Sequence, residues 1–511
     1  MDRVNNARQF EKLREGLIRA RDADPSTIRV CLGPGCLAQG ADKVLEAFQR
    51  VIQKKDIPVG IEPLVKETGC DGFCKAGPLV KLSPSNLFYT GVHPDDVEEI
   101  VERTLIRGEV LERLLYSENG RTYPSASEIP FYKNQHKIAT RNLGKISPRQ
   151  IEDALTEGAY MAAVRALTSM GPEDVVREME ISGLRGRGGA GFPTGRKWRS
   201  AIVALKRRPG AAYVVCNGDE GDPGAFMDRA IMEGDPHAVI EGMIIGAYAI
   251  GAKEGFIYVR AEYPIAIRNL QTGITQAREA GLLGENILGT GFSFDIQINR
   301  GAGAFVCGES TALFTSIEGR TGEPRAKYIR SVERGLWERP TVLNNVETWA
   351  NVPVIIEKGG KWFAGIGVPG SPGTKAFSLV GKVKNVGLVE VPMGVPLSEI
   401  VEKIGGGVPQ KGLFKAVQTG GPSGGCIPYA LRDVSVDFDS LAKIGSMMGS
   451  GGMIVMDETD CVVDVASYFL RFLEEESCGK CLPCRLGLKA MLQFLDSFAK
   501  GEGTIKDIDE L

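Results

Sequence analysis

Histidine is nearly missing from this chain. Three in 511 residues, His93, His136 and His237, stand far apart, which argues against a zinc site built on imidazoles. No run of 18 apolar residues exists, so nothing in the sequence is expected to span a bilayer. The N-terminal MDRVNNARQFEKLREGLIRARDADP has neither an apolar core segment nor a small-residue cleavage site, so no secretory signal is expected. An excess of one charge is also lacking: 61 Lys and Arg face 64 Asp and Glu, a net charge of −3. That balance argues against a nucleic-acid scaffold or a membrane-surface binder. Together these absences predict a cytoplasmic, reducing environment, in which cysteines bind metal more often than they form disulfides.

Glycine and cysteine are what the chain has in quantity. There are 65 glycines and 11 cysteines, and the glycines follow no collagen-like period or linker tract. They are expected at turns and close backbone approaches. The length predicts three or four domains. Residues 1–120 alternate helix and strand patterns in a unit of thioredoxin size, and 121–147 read as a polar linker. Residues 148–370 carry β-rich stretches such as AAYVVCN and EGFIYVRAEY between helices, which predicts a mainly parallel sheet covered by helices. A small α/β unit follows over 371–450, then helical periodicity over 451–511.

Seven cysteines form two constellations. Cys31-x4-Cys36 and Cys70-x3-Cys74 lie on loops at strand ends beside Gly33, Gly35, Gly69 and Gly72. Four thiolates without histidine suit an iron–sulfur cluster or zinc; these wide spacings on separate loops favour a [2Fe–2S] cluster. The second constellation, Cys478-x2-Cys481-x2-Cys484, offers three corners of a [4Fe–4S] cluster. Its fourth ligand is expected from a continuation of the chain beyond Leu511, with Cys461 or an outside donor as alternatives. Cys216, Cys307, Cys426 and Cys461 stand singly and are expected to be small buried residues.

The segment Gly183 to Trp198, GLRGRGGAGFPTGRKW, contains GxGxxG at Gly186, Gly188 and Gly191. It follows a helical pattern rather than a strand, and no acid falls where a dinucleotide fingerprint needs one. Successive small residues with Arg187, Arg196 and Lys197 still make a phosphate or flavin-phosphate cradle. The strand AAYVVCN ends in NGDEGDPG, which puts Asn217, Asp219 and Glu220 where open α/β sheets bind ligands. The segments GAGAFVCGESTALF and LNNVETWANVP mix polar groups with glycine in the same way.

Taken together, these motifs resemble the NADH-binding flavoprotein subunit of respiratory complex I and its relatives in NAD-linked and electron-bifurcating hydrogenases and formate dehydrogenases. The resemblance runs from about Arg29 to Leu511. It implies an α/β multidomain fold: a thioredoxin-like [2Fe–2S] domain, a Rossmann-like FMN and NADH domain, a ubiquitin-like SLBB domain, and a C-terminal helical [4Fe–4S] bundle that is truncated. FMN would lie on Gly186, Arg187, Gly188 and Lys197, with Asn217, Asp219, Glu220, Gly308, Glu309, Ser310, Asn344 and Asn345 around its ring and ribityl chain. Phe192, Asp222, Lys327 and Arg330 would face the nicotinamide nucleotide. Metal ligands would be Cys31, Cys36, Cys70, Cys74, Cys478, Cys481 and Cys484. The implied partners are an iron–sulfur subunit with a further [2Fe–2S] cluster and a catalytic hydrogenase or formate dehydrogenase subunit.

Three departures from the family pattern stand out. Ser310 replaces the second acid after Cys-Gly-Glu, Asp222 is shorter than the usual acid, and Tyr328-Ile329-Arg330-Ser331 replaces a Pro-Pro-Phe-Pro run. Arg330 can stack on adenine or accept a 2′-phosphate, so NAD(H) is expected with NADP(H) open. The expected activity is that of a diaphorase: hydride exchange between NAD(H) and FMN, then single electrons through the clusters to or from partners, with electron bifurcation open. Two rival readings are an electron relay with a vestigial flavin site and a zinc-bound scaffold.

Overall fold

The computed structural model describes residues 3–23, 26–54, 64–326, 328, 330–409 and 412–511. Lys327, expected at the nucleotide, lies outside them. In the N-terminal unit β1 (Thr27–Cys31) runs parallel to β2 (Leu64–Thr68) and antiparallel to β3 (Val80–Ser83), with β4 (Leu87–Tyr89) beyond β3. Val44, Phe48 and Ile52 recur every four residues on the Ala41–Lys54 helix and face this sheet's core. A hairpin, β5 (Tyr116–Glu118) and β6 (Arg121–Tyr123), turns on Asn119 and Gly120, both with positive φ, the Asn-Gly pair favoured by two-residue hairpin turns.

The stretch 121–147, expected as a linker, is packed into the interior. Ile129, Phe131, Ile138, Ala139, Leu143 and Ile146 are buried, and Phe131 stacks on Phe73 with centroids 4.4 Å apart. The amides of Ile138, Ala139 and Thr140 all donate to the buried Glu390 carboxylate. Its apolar residues fall without period among Ser, Pro and Lys, so composition concealed them.

The central sheet is parallel throughout, in the order β10-β7-β8-β9: β7 (Tyr213–Gly218), β8 (Glu254–Arg260), β9 (Asp295–Gly301) and β10 (Thr341–Asn345). The chain steps outward from β7 to β9 and then returns to β7's other side, so the strand order reverses between β7 and β10. Helices cover the sheet as expected. The Pro236–Ile250 helix is almost wholly buried, its polar His237 and Glu241 included. It starts at the Asp235 carboxylate, which accepts from Ala238 N at 3.1 Å, and stops at Gly251 with φ 76°.

A short pair, β11 (Gly367–Val368) and β12 (Ser371–Pro372), leads into a five-stranded sheet in the order β14-β13-β17-β15-β16. Its strands are β13 (Thr374–Gly381), β14 (Gly387–Pro392), β15 (Phe414–Thr419), β16 (Gly425–Pro428) and β17 (Gly452–Asp457). β17 pairs with both β13 and β15, so this unit extends past the expected boundary at 450. Its partners lie far back in sequence, which hid the pairing. The helices Val462–Glu475 and Leu482–Ala499 then pack side by side. Among the described residues no helix is long and apolar enough to cross a membrane.

One apolar core fills the central domain, while a second runs without a break from the N-terminal sheet into the β13–β17 sheet. At the seam between β13 and the central domain, Lys375 pairs with Glu347 at the start of the Val346–Lys358 helix, both fully buried. The other Glu347 oxygen accepts from Ala376 N at 2.9 Å. A buried charge left unpaired is costly. Lys375→Met is therefore expected to lower the unfolding free energy by about 3–5 kcal/mol in urea titration, and Lys375→Met with Glu347→Leu to recover most of it.

Candidate functional site

A cavity of about 500 Å³ opens at the carboxyl ends of β7 and β10, at the point of strand-order reversal where open α/β sheets bind ligands. Asn217 and Asn345 stand in register with each other at the ends of these strands, Asn217 one residue before the last of β7. Asn217 is fixed by accepting from Asp219 N and donating to Gly308 O. Asn345 caps the Val346–Lys358 helix by accepting from Thr348 N, and its amide donates to Asp228. Gly188 approaches from the glycine-rich loop: a methyl group there would sit 3.0 Å from Asn345 Cβ.

The three acids of the turn after β7 meet the cavity with different fates. Asp219 has no hydrogen-bond partner on either buried carboxylate oxygen, and burial raises its pKa to about 7. Glu220 accepts from the amides of Asp228 and Arg229; burial outweighs those bonds and raises its pKa to about 7. Asp222 receives Ser450 Oγ at 2.6 Å and so joins the β13–β17 unit to the turn after β7. Gly308 is small because a methyl group there would come within 3.3 Å of Asp219 Oδ2. Glu309 caps the Ser310–Ile317 helix, accepting from Thr311 N and Ala312 N, while Ser310 Oγ donates to Glu309.

The structure separates other expected residues from this cavity. Arg187 is fully buried and its guanidinium bonds the carbonyls of Arg185 and Pro372, so only its backbone is near the loop's open side. Gly186 N donates to Phe192 O, closing the loop. Lys197 Nζ donates to Leu343 O at 2.7 Å and Asn344 Oδ1 at 3.3 Å. It has no ion pair among the described residues, and burial lowers its pKa to about 8. The buried Asn344 Nδ2 has no partner. Phe192 is exposed with Arg196 above its ring at 5.9 Å, and Arg330 is exposed. The unpaired Asp219 carboxylate in the cavity suits a ligand that brings hydroxyl donors, and the buried Lys197 ammonium, outside the cavity's lining, lacks an ion-pair partner among the described residues.

Cys478, Cys481 and Cys484 line the far wall of the same cavity, each exposed. Gly479 at φ 73° turns the loop, and Cys481 stands at the N-terminus of the Leu482–Ala499 helix. Cys461 does not lie with these three thiols. It sits at the opposite end of the Val462–Glu475 helix, whose 14 residues span about 21 Å. It is also exposed and Cys426 only partly buried, whereas all four single cysteines were expected in the core.

The N-terminal thiols meet in two pairs. Cys70 Sγ and Cys74 Sγ lie 3.7 Å apart, and Cys36 bonds Cys31, which with burial pushes its thiol pKa up. A methyl group at Gly33 would sit 2.7 Å from Cys70 Cα, and one at Gly77 2.7 Å from Cys36 Sγ. Glycine thus lets the two cysteine loops approach each other closely, and two thiol pairs are what the two irons of a binuclear cluster would need. Among the described residues no three His, Cys, Asp or Glu converge as a single metal ion would require. Cys70 and Cys74 also share one small apolar cluster with Met227 and Ala230 of the Met227–Gly234 helix, which carries Asp228 to the cavity.

Sequence reasoning missed Asp228, Phe305 and Ser450 in the cavity wall. Asp228 lies within a helix, and Ser450 comes from another domain, so neither had a local signal.

A parallel sheet with a ligand cleft at its switch point and thiol groups on two sides defines a nucleotide-binding redox protein. Residues 179–354 match the Nuo51 FMN-binding domain, and residues 464–511 match the NADH-ubiquinone oxidoreductase-F iron–sulfur binding region. The chain is 56% identical over 379 residues to the HndC component of the NADP-reducing hydrogenase of Solidesulfovibrio fructosivorans, covering 74% of this chain and 76% of that one. It is 40% identical over 376 residues to the NADH-quinone oxidoreductase F-type chain of Escherichia coli (strain K12), covering 74% and 84%. A solved NAD+-reducing [NiFe]-hydrogenase in its H2-reduced state superposes with a TM-score of 0.64 at 26% identity, covering 99% of this chain and 84% of that one. The chain belongs to the family of F-type NADH-quinone oxidoreductase chains and related hydrogenase subunits, and is an NAD(P)H-dependent flavin and iron–sulfur oxidoreductase.

Because burial raises the Asp219 pKa, its contribution to the stability of flavin-free protein is full below about pH 4 and lost as pH rises through about 7. Asp219→Asn removes that dependence. The difference in Tm, variant minus parent, is expected to grow more positive from pH 4 to pH 8 in thermal melts of flavin-free protein. A constant difference would show that Asp219 does not titrate in this range.

Proposed function

We propose that this chain is the diaphorase subunit of a multisubunit oxidoreductase, exchanging hydride between NAD(H) and FMN and passing single electrons to partner subunits. The observation that carries this reading is that one cavity has Asn217, Asp219 and Asn345 on one wall and Cys478, Cys481 and Cys484 on the other. Bound FMN supplies the hydride and one-electron chemistry, and the protein supplies position and electrostatics. Gly186 and Gly188 bring loop backbone to the phosphate, and Lys197 offers it a buried positive charge. Asp219 accepts hydrogen bonds from ligand hydroxyls, while Asn217, Asn344 and Asn345 hold the ring and ribityl chain. Glu220 and Glu309 spend their carboxylates on backbone amides, which suits orienting the loops rather than moving protons.

In the same reading Cys478, Cys481 and Cys484 hold a [4Fe–4S] cluster, and Cys31, Cys36, Cys70 and Cys74 hold a [2Fe–2S] cluster in a thioredoxin-like domain. The 371–457 unit is the SLBB domain. The apolar cluster that Cys70 and Cys74 share with the helix bearing Asp228 supports electron exchange between the N-terminal cluster and the flavin inside this chain, rather than only through a partner. Phe192, Asp222 and Arg330 face the nicotinamide nucleotide, with Lys327 assigned there from the sequence, and Ser310 stays with the FMN contacts. Exposed Arg330 favours a second reading, use of NADP(H). The catalytic partner is a hydrogenase or a formate dehydrogenase, with electron bifurcation as one mode. Eleven cysteines without a disulfide favour the cytoplasm.

Anaerobic NADH is expected to bleach the flavin absorbance of the purified protein, with NADPH run beside it to rank the two nucleotides. Cys70→Ser should keep that bleaching and lose only the N-terminal cluster's iron and electron paramagnetic resonance signal. A flavin that neither nucleotide bleaches would overturn the assignment.

A further inference from the structure

We propose that Glu476 is a positioning residue that fixes the spacing between the flavin pocket and the Cys478–Cys484 loop, an inference that rests on the reading just given. Glu476 lies two residues before Cys478, just past the end of the Val462–Glu475 helix. Its Oε2 accepts from Phe305 N at 2.8 Å. Phe305 opens the short turn Phe305–Gly308, whose last residue packs against Asp219 and receives the Asn217 amide. One side chain therefore ties the cysteine loop to the wall that holds the expected flavin contacts.

The Phe305 N–H is a first-turn donor with no partner inside its own helix, and a carboxylate is a strong acceptor for it. The Val462–Glu475 helix adds an apolar contact, Phe472 edge-on to Phe305 with centroids 5.0 Å apart. A second tether leaves the loop at Lys480, which donates to Pro324 O at 3.1 Å and pairs with Glu323 at 3.3 Å. Both partners of that pair are about half exposed, where solvent leaves an ion pair little strength. Glu476 is thus the stronger of the two connections. Cys478 and Cys481 are exposed, as are Leu482 and Leu486 in the first turns of the helix that follows the loop. Electron tunnelling decays steeply with distance, and a small outward shift of the loop slows the one-electron oxidation of flavin by the cluster.

The test uses the full chain loaded with flavin and iron. In Glu476→Ala, amide hydrogen exchange of the peptide containing Phe305 is expected to accelerate. The rate of cluster reduction, followed by rapid-freeze electron paramagnetic resonance, is expected to fall about tenfold relative to flavin bleaching by NADH. Glu476→Gln, which still offers an acceptor oxygen, should restore both. An unchanged ratio in Glu476→Ala with accelerated exchange would overturn the proposal, as would Glu476→Gln behaving like Glu476→Ala. If Glu476→Ala loses iron, Glu476→Asp, one methylene too short, is read for the same ratio. Iron lost from both while Glu476→Gln retains it supports the tether, and iron lost from all three overturns it. Failure of NADH to bleach the parent flavin overturns the functional reading instead, and the exchange measurement still reports on the tether.

Discussion

The fully buried pair between Glu347 and Lys375 is the constraint on which the site's geometry rests. Glu347 opens a helix whose cap, Asn345, is itself a wall of the cavity and bonds Asp228. Lys375 belongs to β13, in another domain. Two charges withdrawn from water must find each other in good geometry, so β13 and the Val346–Lys358 helix have one relative position, not a range. From that position follow the contact of Ser450 with Asp222 and the support that Pro372 gives the Arg187 guanidinium.

A second buried carboxylate does comparable work on the other side. Glu390 in β14 collects the amides of residues 138–140, and Leu388 N bonds Gly72 O within the cysteine loop. The N-terminal unit is therefore held by β14 on one face and by the Met227–Gly234 helix on the other, where Gly69 meets Gly234 so closely that a methyl group would sit 2.3 Å from Gly234 Cα. This close approach brings the cysteine pairs to the back of the flavin domain. A unit joined by a loose tether would have left them at the periphery.

Much of the site was legible because its chemistry is local. Four thiols in two short spacings, three in CxxCxxC, and strand-ending asparagines and acids are readable without knowing their neighbours, since ligand sets and strand-end loops are written in consecutive residues. The basic residues of the glycine-rich loop were legible as residue types but not as orientations. Arg187 turns inward to carbonyls and Lys197 lies beneath β10, because both side chains are placed by partners more than 140 positions away.

The sequence by itself determined the class of cofactors, where thiols gather in short spacings, and which segments alternate helix and strand. Tertiary structure alone decided that β10 returns beside β7, that β17 completes the five-stranded sheet, that 121–147 runs through the interior, and that Cys461 lies a helix length from Cys478. Each of these depends on contacts between residues far apart in the chain. Such contacts are fixed by burial of apolar surface and by the pairing of buried polar groups, and no local pattern records them.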